Sequence, residues 1–497
     1  MVASQHRSER AVVLSDLLGA IRIAEGGKVI HGVQLDSRLT KPGDLFVALP
    51  GSNHDGRQFI KQAVANGAAA VVAEPPVAEF FNSATVPLIE IQDLQQEVGL
   101  IAARFYNHPS RALYMVGVTG TNGKTTTSQL IAQLGRALGK TYGVIGTLGA
   151  SLAEDVTDAG NTTPDPVSLQ RQLAKWRDLG VCAVSMEVSS HALTQGRVNG
   201  VEFDTAVFTN LSRDHLDYHG SMQAYGRAKK QLFTMPELRN AVVNMDDEYG
   251  AALLAEIGSE ITTLTYSAKG DPAADVRMES ARFYPGGVFG RLCGPWGGGD
   301  FSSPLAGDFN LSNLAAALST LMLAGENLEA LLGVVADLRP VPGRMQSVPN
   351  TVGIQVIIDY AHTPDALRQV LLALKQQVAG RLTTVFGCGG DRDKGKRALM
   401  GSIASDLSNR VVVTSDNPRG EDPGAILRDI AVGCTGDYEL ISDRAEAISV
   451  ALNEADPGDC VLIAGKGHED YQIVDGRRLH FSDEEQALQA FVGRAAS

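Results

Sequence analysis

The stretch "GVTGTNGKTTT", residues 117–127, decides how this chain is read. Residues 112–118 form an apolar run suited to a strand, Gly120 to Gly123 form a flexible turn, and from Lys124 a helix is expected with Leu130, Ile131, Leu134 and Leu138 on its apolar face. Strand, glycine turn and helix in that order are what a phosphate-binding loop requires, because the turn lets backbone N–H groups approach an anion at the positive end of the helix. The commonest spacing would place a glycine where Val118 stands; Gly117 and Gly120 flank that position instead. The physical requirements survive the altered spacing. Gly120, Thr121, Asn122 and Gly123 can wrap phosphate oxygens, Lys124 can neutralise the β and γ phosphates, Thr125 can ligate Mg2+, and Thr126 completes the expected ATP-binding set. The alternative is a plain turn between strand and helix with an incidental lysine.

Outward from the loop, strand-like runs alternate with helical stretches, among them "VCAVSMEV", "TAVFTNL", "IQVIIDYAH", "LTTVFGCGG", "RVVVTSDNP" and "CVLIAGKGH". Such alternation predicts an α/β fold of mostly parallel sheets with crossover helices. At 497 residues the chain exceeds one ordinary core. Pro109 in "YNHPSRA" and the crowded Pro340, Pro342 and Gly343 mark boundaries, giving pieces 1–108, 109–342 and 343–497. Near 262–310 the pattern shortens to a hairpin-rich insertion. The N-terminus does not read as a signal peptide, no run of about 18 apolar residues occurs, and five cysteines lie singly without CxxC spacing, so a cytoplasmic protein with reduced thiols is expected. A net charge of −14 argues against a broad nucleic-acid footprint.

The polar clusters follow strands, where open α/β sheets bind ligands. Glu187 ends "VCAVSME" and could hold Mg2+; a solvated loop glutamate is the other reading. "TNLSRDHLDYHG", residues 209–220, adds His215 and Asp217, suited to metal or phosphate work.

In order along the chain, "GTNGKTT", "EVSSHAL", "TNLSRDHLDYHG", "NMDDEYG", "GDFNLSNLAAA", "PGRM" and "DYAHTPDAL" resemble the motifs of the Mur ligases, ATP-dependent amide-forming enzymes of peptidoglycan precursor synthesis, over about residues 32–485. The family's own loop has this glycine spacing. The resemblance implies three domains: a small α/β UDP-binding domain, a central P-loop ATPase-like domain and a Rossmann-like C-terminal domain that binds the amino acid. It implies that a substrate carboxylate attacks ATP to form an acyl phosphate, which an amine then converts to an amide. Catalytic roles fall on Lys124, His215 and Lys229, the last matching the lysine that the family carbamylates with CO2 to position a second Mg2+; from the residues alone Lys229 would pass as a surface helix lysine. The implied metal ligands are Thr125, Glu187, His215 and carbamylated Lys229. Asn310, Asn313, Arg344 and Asp359 match the family's further ATP contacts, across a cleft expected to close near Pro342.

"NTTPDP", residues 161–166, is similar to the segment with which one member grips a UDP-MurNAc-dipeptide. Asn161, Thr162, Thr163, Ser189, Gln195 and Arg197 fit that pattern, and Leu35, Ser37, Ser52, Asn53 and His54 match its uridine-diphosphate pocket. In the third piece Arg392, Asp416, Asn417, Pro418, Arg419, Gly465 and Glu469 fit a meso-diaminopimelate site. The "DNPR" form resembles enzymes in which an arginine grips that amino acid's distal carboxylate; the residue-level alternative is that Arg419 starts a helix and pairs with Glu421 or Asp422. The resemblance therefore implies an ATP-dependent ligation of meso-diaminopimelate to UDP-N-acetylmuramoyl-L-alanyl-D-glutamate, with small-molecule substrates; a monomer is expected, though the sequence itself reveals no oligomeric state. A lysine-adding relative, a folylpolyglutamate synthase-like ligase and an ATP-driven switch are the rival readings.

Overall fold

The computed structural model describes residues 10–21, 26–51, 55–80, 86–153, 155–158, 160–284 and 287–496. The chain divides into two compact units, one of Met1–Gly117, Thr141–Asp204 and Thr234–Leu238, the other of Val118–Lys140, Thr205–Phe233 and Arg239–Ser497. The strand Tyr114–Thr119 carries the chain from the first to the second.

In the first unit, Gly32–Gln34, Asp44–Ala48, Ala70–Ala73 and Leu88–Glu90 form a four-stranded parallel sheet. Its two central strands are buried throughout, as continuous apolar runs covered on both faces should be. Leu45, Val47, Ala70 and Val72 pack with the helix Leu94–Tyr106 on one face, and Phe46, Ala48, Val71 and Ala73 with Ile60 and Ala63 on the other. The same unit pairs Ala183–Glu187 in parallel with Tyr142–Gly146, which continues antiparallel through Gly149–Leu152 to Asp155–Thr157. The helix Pro166–Asp178 starts cleanly because Asp165 accepts from the N–H groups of Val167 and Ser168 and Pro166 occupies the first position.

In the second unit, Thr205–Phe208, Asn240–Asn244, Thr262–Ser267 and Val276–Tyr284 are parallel neighbours, and the expected hairpin insertion is the antiparallel set Val276–Tyr284, Gly287–Gly294 and Gly297–Ser303. A second sheet orders its strands Gln346–Ser347, Gln355–Asp359, Cys460–Ala464, Leu382–Phe386, Arg410–Val413 and Tyr438–Leu440, parallel except for the first. Alternate residues feed opposite cores. Ile357, Phe386, Val413 and Leu462 face one set of helices, while Val356, Ile358, Val412 and Ile463 face the other. This is a doubly wound domain, whose strand ends converge on one edge.

The strand expected at 112–118 runs from Tyr114 to Thr119, because Pro109–Ala112 is taken up by a 3-10 turn. Among the described residues no helix is long and apolar enough to cross a membrane.

Candidate active site

The glycine turn lies between the strand Tyr114–Thr119 and the helix Lys124–Ala137. Gly123 sits at φ 83°, and a Cβ there would run into Oδ1 of Asn313, so backbone and space both demand glycine. The end of the neighbouring strand braces the turn. Asn122 N–H donates to Oδ1 of Asn210 at 2.8 Å, and the Asn122 carbonyl accepts from Thr209 Oγ1 at 2.6 Å and Asn210 Nδ2 at 3.1 Å. Lys124 Nζ folds back to donate to the carbonyls of Gly120 and Thr121 at 2.9 and 2.8 Å.

Lys229, on the helix Met222–Lys230, is 1% exposed. Its Nζ donates to the Gly120 carbonyl at 2.7 Å and lies 4.1 Å above the Tyr225 ring. Burial, then repulsion from Lys124, hold its pKa well below the ordinary lysine value, with Asp214 opposing. Asp214 is itself buried, facing Nε2 of His215 at 3.3 Å, Nε2 of His362 at 3.7 Å and Nζ of Lys396 at 3.8 Å. Burial alone would raise its pKa; the bond from His362 and the charges of His215 and Lys396 hold it well below the carboxylate range.

A cleft of about 610 Å³ opens beside the loop, lined by Asn122, Gly123, Thr126, Asn313, Arg344 and Asp359 among others. Asn313 Nδ2 donates to Oδ1 of Asn310 at 3.2 Å, one turn earlier on the helix Asp308–Leu323, and Asn310 faces a small adjoining cavity with Thr126 and Arg344. Arg344 Nη2 donates to Thr125 Oγ1 at 3.0 Å and its guanidinium lies 4.5 Å above the Tyr360 ring. Its Nε is buried and has no hydrogen-bond partner among the described residues. Asp359 accepts from the N–H groups of Met345 at 2.7 Å and Ala361 at 2.8 Å, and burial raises its pKa against the pull of Arg344. Glycine turn, lysine and unsatisfied guanidinium donor together fit a polyphosphate. The hydroxyl of Thr125 and the imidazole of His215 suit a divalent cation that keeps most of its waters; among the described residues no cluster of three or more His, Cys, Asp or Glu could hold a metal alone.

Three further strand ends meet in the same unit. Arg419, at φ 54°, donates through Nη1 to the Gly390 carbonyl at 2.8 Å, and its pKa is lowered by burial and by Arg392. Glu469 Oε2 accepts from Asn417 Nδ2 at 2.9 Å and from the wholly buried Lys466 at 3.0 Å. Asp416, Asn417, Pro418 and Gly465 are buried around them, and Arg392 is exposed.

In the first unit, Glu187 is 1% exposed and accepts from Thr147 N–H at 2.7 Å and Thr147 Oγ1 at 3.1 Å. The hydroxyls of Thr147 and Thr162 lie 3.1 Å apart, and Thr163 Oγ1 donates to the Glu187 carbonyl at 2.9 Å. Arg197 donates to the Thr163 carbonyl at 3.0 Å and through Nε to Gln195 Oε1 at 2.9 Å, while Ser189 Oγ accepts from Ala192 N–H at 3.2 Å. Asn161 is exposed beside them.

Family profiles match in three successive segments: the Mur ligase family catalytic domain at 29–106, the Mur ligase middle domain at 118–321, and the Mur ligase glutamate ligase domain at 343–467. The chain belongs to the Mur ligase family. It is 47% identical over 486 residues to the UDP-N-acetylmuramoyl-L-alanyl-D-glutamate--2,6-diaminopimelate ligase of Ectopseudomonas mendocina, covering 97% of this chain and 99% of that one. It is 48% identical over 469 residues to the enzyme of that name from Pseudomonas aeruginosa, covering 94% and 96%. A solved structure of a ligase of that name superposes with a TM-score of 0.70 at 38% identity, covering 98% of this chain and 100% of the other.

In this Mur ligase the residues read from sequence fall into two sets. Gly120 to Thr126, His215, Lys229, Asn310, Asn313, Arg344 and Asp359 belong to the second unit, with Arg392, Asp416 to Arg419, Gly465 and Glu469; Glu187 and the "NTTPDP" contacts belong to the first. Leu35 is half-buried, and Ser37 is buried with its hydroxyl donating to Gln62 at 2.8 Å; Ser52, Asn53 and His54 lie outside the described residues. Glu187 and Lys229 are buried, so neither is the solvated side chain that isolated reading allowed. Arg419 bonds backbone carbonyls, while Glu421 is taken by Arg397 at 2.9 Å and Lys394 at 3.2 Å, so the helix-start pairing does not form. Sequence reading passed over Asp214, although it stands inside a quoted motif beside His215. It also passed over Thr147, Lys396 and Lys466; of these Lys396 had a signal in "GCGGDRDKGKR" and Lys466 in "GKGHED", and Thr147 had none.

Proposed function

We propose that the chain uses ATP to join meso-2,6-diaminopimelate to UDP-N-acetylmuramoyl-L-alanyl-D-glutamate, giving the UDP-MurNAc-tripeptide of peptidoglycan synthesis. End-to-end similarity to ligases named for those two substrates carries the reading. The carboxylate of the nucleotide substrate attacks the γ phosphorus of ATP, the bond to the β-phosphate oxygen breaks, and ADP leaves. The amine of diaminopimelate then attacks the acyl carbon, phosphate departs, and the nitrogen loses a proton. Lys124, Arg344 and the N–H groups of the 120–123 turn counter the charge that gathers on phosphate oxygens. Thr125 and His215 in the second unit are proposed to hold Mg2+, which would supply positive charge to the phosphates, and Glu187 in the first unit is proposed separately as a metal ligand. Lys229 is the proposed carbamate site: its buried, proton-poor amine is the form that adds CO2, and the product is an anion suited to a second Mg2+.

Residues 1–108 are assigned to the UDP moiety, with Leu35, Ser37 and the 52–54 turn as contacts, 109–342 to ATP, and 343–497 to the amino acid. Asn161, Thr162, Thr163, Ser189, Gln195 and Arg197 would hold the dipeptide end. Arg419 would grip the distal carboxylate of diaminopimelate and Glu469 its ammonium, with Arg392, Asp416, Asn417, Pro418 and Gly465 around them. The enzyme is taken to act in the cytoplasm, as a monomer, without nucleic acid.

Phosphate release and product mass, with ATP, Mg2+ and the UDP-dipeptide, compare diaminopimelate with L-lysine. A preference of at least ~100-fold for diaminopimelate, lost in Arg419→Ala, is expected. Product mainly with lysine overturns the role of Arg419, and no product with either overturns the assignment of the dipeptide substrate.

A further inference from the structure

Behind the amino-acid loops lies an ion pair that no motif marks. Arg444 opens the helix Arg444–Asn453, Asp483 opens the helix Asp483–Ala496, and both side chains are wholly buried. The pair is bidentate, Nε to Oδ1 at 2.7 Å and Nη2 to Oδ2 at 2.8 Å. The same guanidinium donates through Nη2 to the Ala464 carbonyl at 3.0 Å and through Nη1 to the Ser415 carbonyl at 3.3 Å. Ala464 ends its strand immediately before the loop that carries Glu469, and Ser415 lies two residues beyond the strand Arg410–Val413, in the loop that carries Arg419. The loops also touch each other there: Gly465 is at φ 115°, and a Cβ on it would come within 2.6 Å of Asp416 Oδ2.

Burying two charges is a poor way to hold two helices together, since an apolar pair of similar volume does so at least as well. What an apolar pair cannot do is donate at once to two carbonyls at the bases of separate loops. We infer that the Arg444–Asp483 ion pair is a positioning device that fixes the separation of the 415–420 and 465–470 loops and thereby the affinity for the incoming amino acid. Asp483 orients the guanidinium, and Arg444 transmits that orientation to both loops. The amino-acid part of this inference rests on the substrate reading above.

The test uses the full chain as wild type, as Arg444→Met with Asp483→Leu, and as Arg444→Lys. In the double variant, which keeps the buried volume, KM for diaminopimelate is expected to rise about 10-fold or more while KM for ATP stays within about 2-fold. Hydrogen exchange is expected to quicken at 415–420 and 465–470 and to stay unchanged at 120–127. Arg444→Lys, with one point charge in place of a fork, is expected to share both defects. Should the double variant fail to fold, Arg444→Lys alone decides. Wild-type exchange and KM in either variant that folds overturn the inference. If the wild type makes no product with diaminopimelate, the substrate reading falls instead, and the exchange comparison still decides whether the ion pair braces the loops.

Discussion

Lys229 and Lys466 are both buried lysines next to strand ends, and they differ in what faces the amine. Lys466 pairs with Glu469 at 3.0 Å, three residues on, and donates to Asn417 Oδ1 at 3.3 Å. Lys229 meets a carbonyl oxygen, the face of Tyr225 and the like charge of Lys124, and among the described residues no carboxylate lies within ion-pairing distance of it. A buried ammonium needs a counter-charge, and where none is supplied the amine sheds its proton instead. The first arrangement holds a carboxylate in place, whereas the second sets the amine against burial and a like charge, which lower its pKa.

The largest effect that would break this contrast is expected at Lys229. Lys229→Met should lower kcat by about 1000-fold or more, and a carbamate carbon signal seen by NMR with 13C-bicarbonate should vanish with it. Activity within tenfold of wild type would remove Lys229 from the reaction. At Lys466 a smaller and more selective loss is expected: Lys466→Met should raise KM for diaminopimelate roughly 10-fold, because Glu469 loses the donor that orients it, with KM for ATP unchanged. A fall in KM would mean that Lys466 competes with the substrate's own ammonium.

The smallest effect concerns pH. Because the folded pKa of Lys229 is lowered, the unfolded chain binds one more proton between that value and the ordinary lysine value. Stability therefore rises with pH through that window and is lost as pH falls through it, by at most ~1.4 kcal/mol per pH unit from this one group. In CO2-depleted buffer, the urea midpoint of wild type should climb across the window more steeply than that of Lys229→Met. Parallel curves would show that Lys229 keeps its proton on folding.

What could be read in advance was local. Gly123 must be glycine because its own backbone conformation and the helix that follows it require it, and the requirement is visible in eleven letters of sequence. The alternation of strands and helices predicted parallel sheets, and Ile357 and Ile358 then face opposite cores as period-two alternation demands. Asp214 was not legible, since its weight comes from His362 and Lys396, which are distant in sequence and lie in a different segment of the chain. Thr147 was missed for the same reason: only the fold turns its hydroxyl and N–H towards Glu187. Arg444 and Asp483 carry no motif at all, and a fork reaching the bases of two loops exists only after the fold has brought those loops together.

By itself the sequence determined the α/β architecture, the strand, glycine turn and helix of residues 114–137 and the membership of the Mur ligase family, because apolar periodicity, glycine conformation and ordered motifs are properties of neighbouring residues. The tertiary structure decided which charges are buried and what faces them: Lys229 against the Gly120 carbonyl, Lys466 against Glu469, Arg419 fastened to carbonyls and Arg444 locked to Asp483. Desolvation and pairing depend on every atom within a few ångströms in space, and those neighbours come from segments that only the folded chain brings together.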